Sequence, residues 1–95
     1  MTADTMRMMR PTVEVLRLLL DGRADGPLWG ARISELAALG KSTVSQILAR
    51  LTALEWVIPH KEEGPHPSRP ARVFYTLTEQ GRREAKVALA AWSYA

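Results

Sequence analysis

The chain has 95 residues, with 13 Lys and Arg against 10 Asp and Glu for a formal net charge of +3, and 46% of its residues are hydrophobic. This length predicts one domain with a marginal core, which leaves little room for a deep enzyme cleft and favours a dimer that completes the core. The composition excludes a disordered chain, and the absence of cysteine excludes disulfides, thiolate metal sites and cysteine nucleophiles.

The first two predicted helices follow an N-terminal arm, residues 1–10. Pro11 suits a first helical position, and apolar residues at helical spacing continue to about Leu20, where Asp21-Gly22 ends the helix and residues 23–27 form a loop. We expect Leu28 and Trp29 to anchor the core ahead of a short second helix over residues 30–38. Its inner face is predicted to carry Ile33, Leu36 and Ala37, and Gly40 to supply its left-handed C-cap.

The third predicted helix has the strongest apolar stripe in the chain. Ser42 or Thr43 is expected to cap it. The stripe at helical spacing consists of Val44, Ile47, Leu48, Leu51 and Leu54. The opposite face presents Thr43, Gln46, Arg50 and Ala53, with Ser42 and Ser45 beside it.

A hairpin and a last helix complete the chain. The β-rich residues 56–60 and the alternating residues 72–77 flank a loop that contains Pro65, Pro67 and Pro70. The alternation places Val73, Tyr75 and Leu77 on one face and Arg72, Phe74 and Thr76 on the other, and the nitrogen of Pro59 should point away from the ladder. Thr78 should cap the last helix, with Glu79 at its positive end. The apolar stripe of that helix is Ala85, Ala88, Leu89 and Trp92.

The order helix, helix, helix, strand, strand, helix predicts a mainly α-helical winged helix-turn-helix with a small β-hairpin. We divide the chain into the arm over residues 1–10, the winged domain over residues 11–78 and a dimerisation helix over residues 79–95. The slim, polar start of the third helix is typical of a helix that enters the major groove of double-stranded DNA. Its predicted DNA-binding residues are Lys41, Ser42, Thr43, Ser45, Gln46 and Arg50.

The hairpin, or wing, adds two predicted DNA contacts. Arg69 and Arg72 suit phosphates or a minor groove, and within residues 64–77 neither has an acidic neighbour, so we expect both charges to be free. Gln46 can pair with adenine, and Arg50 with guanine or phosphate. Two other classes remain open: a winged module that binds only protein, and a small-molecule sensor whose DNA activity is secondary.

From about Thr12 to Lys86 the sequence resembles the PadR family of winged helix-turn-helix transcription regulators. The resemblance rests on three segments. The most specific is the basic wing segment over residues 69–82, which contains Tyr75-x-Leu77-Thr78-x-x-Gly81. The others are Trp29-Gly30, which opens the second helix, and the third helix with the entry to the next strand, Lys41-Ser42-Thr43-Val44 to Leu51-x-x-Leu54-x-Trp56-Val57.

The resemblance implies a homodimer on an inverted-repeat operator, usually a repressor, that dimerises through the last helix with help from the N-terminal one. The composition, rich in Ala, Arg and Leu, suggests a GC-rich bacterial genome. Where the family commonly has glycine, this chain has Glu55, so we expect a strained left-handed residue there.

The dimer interface predicted on this basis comprises Met6, Met9, Ala85, Ala88, Leu89 and Trp92. The resemblance is to the small form of the family, which has no separate C-terminal effector domain. A small-molecule effector would therefore use the dimer interface or the surface between helix and wing. Trp92 could line such a site, although at this spacing we favour plain dimer core.

The sequence contains little evidence for catalysis, metal binding or membrane contact. His60 and His66 flank the proline loop with Glu62 and Glu63 between them, but nothing indicates that they converge on a metal. The serines and Thr43 lack a nearby histidine, and we find no glycine-rich phosphate loop. We therefore predict no catalytic residue, cofactor or metal. No apolar run approaches the ~18 residues that span a bilayer, and residues 1–10 lack the core of a signal peptide, so we expect a cytoplasmic protein.

Overall fold

A computed structural model describes residues 9–21 and 27–93. Residues 1–8 of the predicted arm, with Met6, and residues 23–26 of the predicted loop lie outside the described residues. The described chain confirms the predicted element order and adds one short strand. Its elements are α1 (Arg10–Asp21), β1 (Leu28–Trp29), α2 (Gly30–Ala37), α3 (Lys41–Ala53), β2 (Val57–Lys61), β3 (Val73–Leu77) and α4 (Glu79–Ser93).

The three strands form one antiparallel sheet in the order β1-β3-β2. β2 pairs with β3 along its whole length, from Val57 opposite Leu77 to Lys61 opposite Val73. Pro59 therefore lies in an edge strand, the position in a sheet that tolerates a residue without an N–H donor. The sequence did not predict β1, because two residues are too short to show an alternating pattern.

The core lies between the helices and the inner face of the sheet. On α3 the predicted stripe is confirmed: Val44, Leu48 and Leu51 are buried, and Ile47 and Leu54 pack against them at the margin. The buried cluster consists of Val15, Leu16, Leu28, Ile33, Val44, Leu48, Leu51, Trp56, Val57 and Ala85. This stripe turns the opposite face of α3 away from the core.

On α2 the prediction for Leu36 is wrong, because this side chain is 41% exposed. The buried face of α2 is centred between Ile33 and Ser34, and Leu36 lies to one side of it. Ser34 can be buried because its hydroxyl donates a hydrogen bond to the carbonyl of Leu39.

The turn between α2 and α3 differs from the predicted one. The left-handed residue is Ala38, with φ 57° and ψ 45°, and the N–H groups of Ala38 and Leu39 donate to the carbonyls of Glu35 and Ser34. Gly40 has extended geometry and is the N-cap of α3, so Ser42 and Thr43 lie inside the first turn and do not cap it. The prediction failed because α2 ends before Gly40, which leaves Ala38 in the C-cap position.

The start of α4 is fixed as predicted, by Thr78. Its hydroxyl oxygen accepts a 2.8 Å hydrogen bond from the N–H of Gly81 and donates one of 2.7 Å to the carbonyl of Glu55. A Cβ atom at Gly81 would lie 2.0 Å from the carbonyl oxygen of Trp56. Only glycine allows this close approach, which ties α4 to the segment between α3 and β2.

Candidate nucleic-acid interface

The face of α3 opposite the core is polar and exposed. Lys41, Ser42, Ser45, Gln46 and Arg50 are all exposed there, and Thr43 is half-buried. Across residues 9–21 and 27–93, neither cation of this face has an ion-pair partner and none of its three exposed polar side chains has a hydrogen bond to protein. These side chains are therefore available to an external partner.

Ala49 is an exposed member of the same face that the sequence analysis did not single out. It lies on one helical row with Ser42 and Ser45, so the part of the face beside Gln46 carries only short side chains. A face of this shape allows the helix backbone to approach a surface closely. The burial of Leu48 next to it is the signal that places Ala49 outside.

A cavity of about 200 Å³ opens between the start of α1 and this face. Met9, predicted for the dimer interface, is 54% exposed and lines the cavity. The other lining residues are Pro11, Thr12, Thr43, Gln46, Ile47 and Arg50. The structure thus brings the first turn of α1 beside the predicted DNA-binding face.

The turn that ends α3 contains the left-handed residue expected at Glu55, with φ 63°. The N–H of Glu55 donates to the carbonyl of Thr52 at 3.0 Å, and the N–H of Trp56 donates to the carbonyl of Leu51 at 2.9 Å. This pair of hydrogen bonds is the Schellman arrangement of a helix C-terminus. It directs the chain from α3 straight into β2 and so sets the position of the wing relative to α3.

Inside the wing, Glu62 holds a cluster of hydrogen bonds. Both of its carboxylate oxygens accept from the guanidinium of Arg69, at 2.8 Å and 3.1 Å, and one also accepts from the backbone N–H of Arg72 at 3.1 Å. The hydrogen bond from Arg69, followed by that from Arg72, lowers the pKa of Glu62 from 4.5 to about 2, and the pKa of Arg69 is raised by the same bond. The expectation that Arg69 carries a free charge is wrong, since the hairpin brings Glu62 from outside the acid-free segment onto it.

Arg72 is held in a different way. Its guanidinium carbon lies 4.0 Å from the centre of the Trp29 ring, a cation–π contact, and Trp29 in turn meets Phe74 edge to face with ring centres 5.9 Å apart. Among the described residues, no carboxylate pairs with this guanidinium. The sequence interpretation placed Trp29 in the core, and only the register of β1 against β3, with Trp29 opposite Phe74, reveals its role in the wing.

The two histidines of the wing bind neighbouring protein groups. His60 lies 3.1 Å from the hydroxyl of Thr76, and His66 lies 3.1 Å from the carbonyl of Glu63 and 3.5 Å from the carboxylate of Glu62. The part of the chain that the structure describes contains no group of three His, Cys, Asp or Glu side chains that could hold a metal. In the same residues, none of the helices has the length and apolar character needed to cross a bilayer.

On α4 the predicted interface stripe turns out to face the protomer's own core. Ala85 is 0% exposed and belongs to the buried cluster, so its assignment to a dimer interface is wrong: it has no surface left for a partner. Leu89 packs against the same cluster, while Ala88 and Trp92 are half-buried. The residue that the sequence analysis missed is Val87, which is 66% exposed on the outer side of α4.

Two helices joined by a tight turn, followed by an antiparallel hairpin, define the winged helix-turn-helix class. No protein-family model matches the chain, and no curated protein matches its sequence. Solved structures match its fold, among them the PcaV transcriptional regulator of Streptomyces coelicolor in complex with its natural ligand. That match has a TM-score of 0.66 at 22% identity and covers 83% of this chain and 51% of that one.

Two further structures match in the same way. MepR, a transcription regulator of the Staphylococcus aureus multidrug efflux pump MepA, matches with a TM-score of 0.68 at 17% identity, and the match covers 92% of this chain and 59% of the MepR chain. ZitR of Lactococcus lactis, a zinc-responsive MarR family member, has a TM-score of 0.67 at 19% identity, with 95% and 57% covered. The chain therefore spans a little over half the length of these three proteins, and the likeness establishes the winged-helix fold.

Proposed function

We propose that this chain is a DNA-binding transcription regulator that reads double-stranded DNA with α3. The observation that carries the proposal is the exposed polar face of α3, on which Lys41, Gln46 and Arg50 have no partner within the described protein. A side chain whose hydrogen-bonding groups are free in the folded protein can exchange water for the edges of bases without breaking an internal contact.

The order of side chains along α3 suits insertion into the major groove. Ser42, Ser45 and Ala49 are short and exposed, so the backbone can come near the floor of the groove. Gln46 reaches from this slim surface with the amide that pairs with adenine, and Arg50, one turn further on, suits guanine or a flanking phosphate. Lys41 lies at the start of the helix, where phosphate is favoured electrostatically.

Two of the fold neighbours described above, PcaV and MepR, are transcription regulators and support the proposal in general terms. The narrower assignment to the PadR-like family is part of our proposal and is supported by local structure, and a role as a repressor is what that resemblance implies. Glu55 is left-handed where the family has glycine, and Thr78 and Gly81 of the shared motif fix the start of α4. The role fits a bacterial protein of the cytoplasm, which matches the bacterial sources of these neighbours.

We further propose that the protein acts as a homodimer on an inverted-repeat operator, with α4 and the start of α1 forming the interface. The outer side of the second half of α4 supports this: Val87, Ala90 and Ala91 are exposed, and Trp92 and Ala88 border them. An exposed apolar strip of this kind on a short chain is readily covered by a second copy. A small-molecule effector would then lie at this interface, as in our sequence-based proposal.

The test of DNA binding is an electrophoretic shift of duplexes selected from a random library, measured against rising salt. We expect selection of an inverted repeat with half-sites about one helical turn apart and weaker binding as salt rises. A protein that selects no sequence and shifts no duplex at low salt would contradict the proposal and favour a protein-binding winged module.

The dimer is tested separately, with Val87→Glu. Because Val87 is exposed in the single chain, the substitution should leave the protomer folded and separate the dimer. Gln80→Glu is the matched control, since it places the same carboxylate two turns earlier on the outer side of α4, where the surface is polar. Light scattering that reports a monomer for the unmodified protein at micromolar concentration would contradict the proposal.

A further inference from the structure

Trp29 belongs neither to α3 nor to the hairpin, yet its ring supports an arginine of the wing. It is the residue before the first turn of α2 and one of the two residues of β1. Its backbone pairs with Phe74 in the sheet, its ring meets the ring of Phe74, and the guanidinium of Arg72 lies 4.0 Å above it. The start of the helix-turn-helix and the loop end of the hairpin are therefore joined through one side chain.

We propose that Trp29 is a positioning residue that holds Arg72 ready for a DNA phosphate. This inference rests on the proposed function and deepens it, because it assigns the backbone contact of the wing to one arginine and names the residue that orients it. Trp29 itself is half-buried and has no charge to offer to DNA.

The cation–π contact prepares Arg72 for binding because it does not use the hydrogen-bond donors of the guanidinium. Within the described residues the guanidinium N–H groups of Arg72 donate to no protein acceptor, so they remain free for the bidentate contact that phosphate prefers. The backbone N–H of Arg72 is bound to Glu62, so the residue is fixed at its main chain and at its head group. The rotamer freedom that a free arginine loses on binding is thus already lost in the folded protein.

Arg69 cannot take the same role. Two of its nitrogens already donate to the two carboxylate oxygens of Glu62, and it also donates to the carbonyl of Pro70. Its positive charge is neutralised locally, so transfer to a phosphate would leave Glu62 without its partner. Of the two wing arginines, Arg72 is the one with a head group free of carboxylates.

The experiment compares Trp29→Leu, which removes the aromatic face, with Trp29→Tyr, which keeps one, each with and without Arg72→Ala. Affinity for the selected operator is measured at several salt concentrations. We expect Trp29→Leu to weaken binding about two- to fivefold per subunit, the range of an exposed cation–π contact, and Trp29→Tyr to restore most of it. In the Arg72→Ala background neither substitution at Trp29 should change affinity further.

A purely structural role would give a different pattern. If Trp29→Leu weakens binding equally with and without Arg72, or if it strengthens binding because Arg72 is released, the inference is overturned while the proposed function stands. If the unmodified protein binds no DNA, both fail.

A measurement on the unmodified protein guards against a variant that does not fold. The ring current of Trp29 should shift the side-chain proton resonances of Arg72 upfield in the free protein. Resonances at ordinary positions would overturn the inference without any substitution.

Discussion

The outer face of α3 and the wing are both basic, but their charged side chains differ in whether they contact other groups of the protein. On α3, Lys41 and Arg50 are exposed and unpaired within the described residues. In the wing, Arg69 is bound to Glu62 at both oxygens and Arg72 is stacked on Trp29. The charged side chains of α3 thus make no ion pair or hydrogen bond within the described protein, whereas those of the wing are held in place before any partner arrives.

This difference shows that the number of basic residues in a segment does not give the number of charges available to DNA. The wing sequence has two arginines and no acid within residues 64–77. The hairpin nevertheless brings Glu62 within 2.8 Å of Arg69, so of these two arginines only Arg72 has a head group free of carboxylates within the described residues. This difference is the reason for our proposal that α3 reads bases and that the wing supplies a pre-ordered phosphate contact.

The largest expected effect concerns the junction at which Gly81 of α4 packs against the backbone of Trp56, between α3 and the wing. In Gly81→Ala the new Cβ would lie 2.0 Å from the Trp56 carbonyl oxygen, and because that neighbour is backbone, α4 must shift. We expect a loss of about 3 kcal/mol in the free energy of unfolding, measured by chemical denaturation. Gly30→Ala is the control, since a Cβ there meets nothing within 4 Å. Equal stability of the two variants would show that the backbone at the junction can shift with little loss of free energy.

Substitution on α3 should change sequence preference. Gln46→Ala removes the amide assigned to base reading, so discrimination at one operator position should fall by about 1–3 kcal/mol, while the slope of affinity against salt stays the same. Competition among operator variants with single base changes measures this. If affinity and preference at every position are retained, Gln46 is not in the interface.

The carboxylate that orders the wing should give it a pH dependence. The pKa of Glu62 is lowered from 4.5 to about 2, so its stabilising contribution is present above pH 4.5 and is lost as the pH falls towards 2. Glu62→Gln should lower the melting temperature at neutral pH and reduce its fall over that acid range. Glu63→Gln changes the neighbouring carboxylate, which does not pair with Arg69, and should behave like the unmodified protein. If the acid transition is lost in Glu63→Gln and kept in Glu62→Gln, Glu63 causes the transition and the account of Glu62 is contradicted.

The smallest expected effect concerns the end of α3. Glu55 has a positive φ of 63°, so Glu55→Gly should relieve strain and raise the free energy of unfolding by about 1 kcal/mol. Ala53→Gly, in the last turn of α3, is the matched control and should lower it by about as much, because glycine is unfavourable in helical geometry. A melting temperature that falls for Glu55→Gly would mean that the glutamate side chain contributes more than its backbone strain costs.

Features with a regular period were predictable from the sequence. The stripe of α3 with Leu48 and Leu51, the Thr78 cap and the paired strands follow from spacing and from residue types with one strong local preference. The left-handed Glu55 was also expected, through a family resemblance and not through its own chemistry.

Features that depend on packing across the fold were not predictable. The hydrogen bonds of Glu62, the stacking of Arg72 on Trp29 and the burial of Ala85 join residues whose relation is set by strand register and helix docking. Glycine at position 40 was a misleading signal, since Ala38 adopts the left-handed geometry that glycine usually provides. The chain tolerates that strain because the hydrogen bonds of the turn, including the one from Ser34, hold it in place.

The salt dependence of operator binding tests the central claim most directly when it compares Arg72→Ala with the paired substitution of Arg69 and Glu62. The account predicts that Arg72→Ala flattens the plot of log affinity against log salt by about two units per dimer, since each phosphate contact contributes close to one. The double variant Arg69→Ala with Glu62→Gln removes a pair of opposite charges but keeps an oxygen at position 62 that can accept from the backbone N–H of Arg72, so it should leave the slope unchanged. A slope that stays the same for Arg72→Ala but flattens for the double variant would contradict the account.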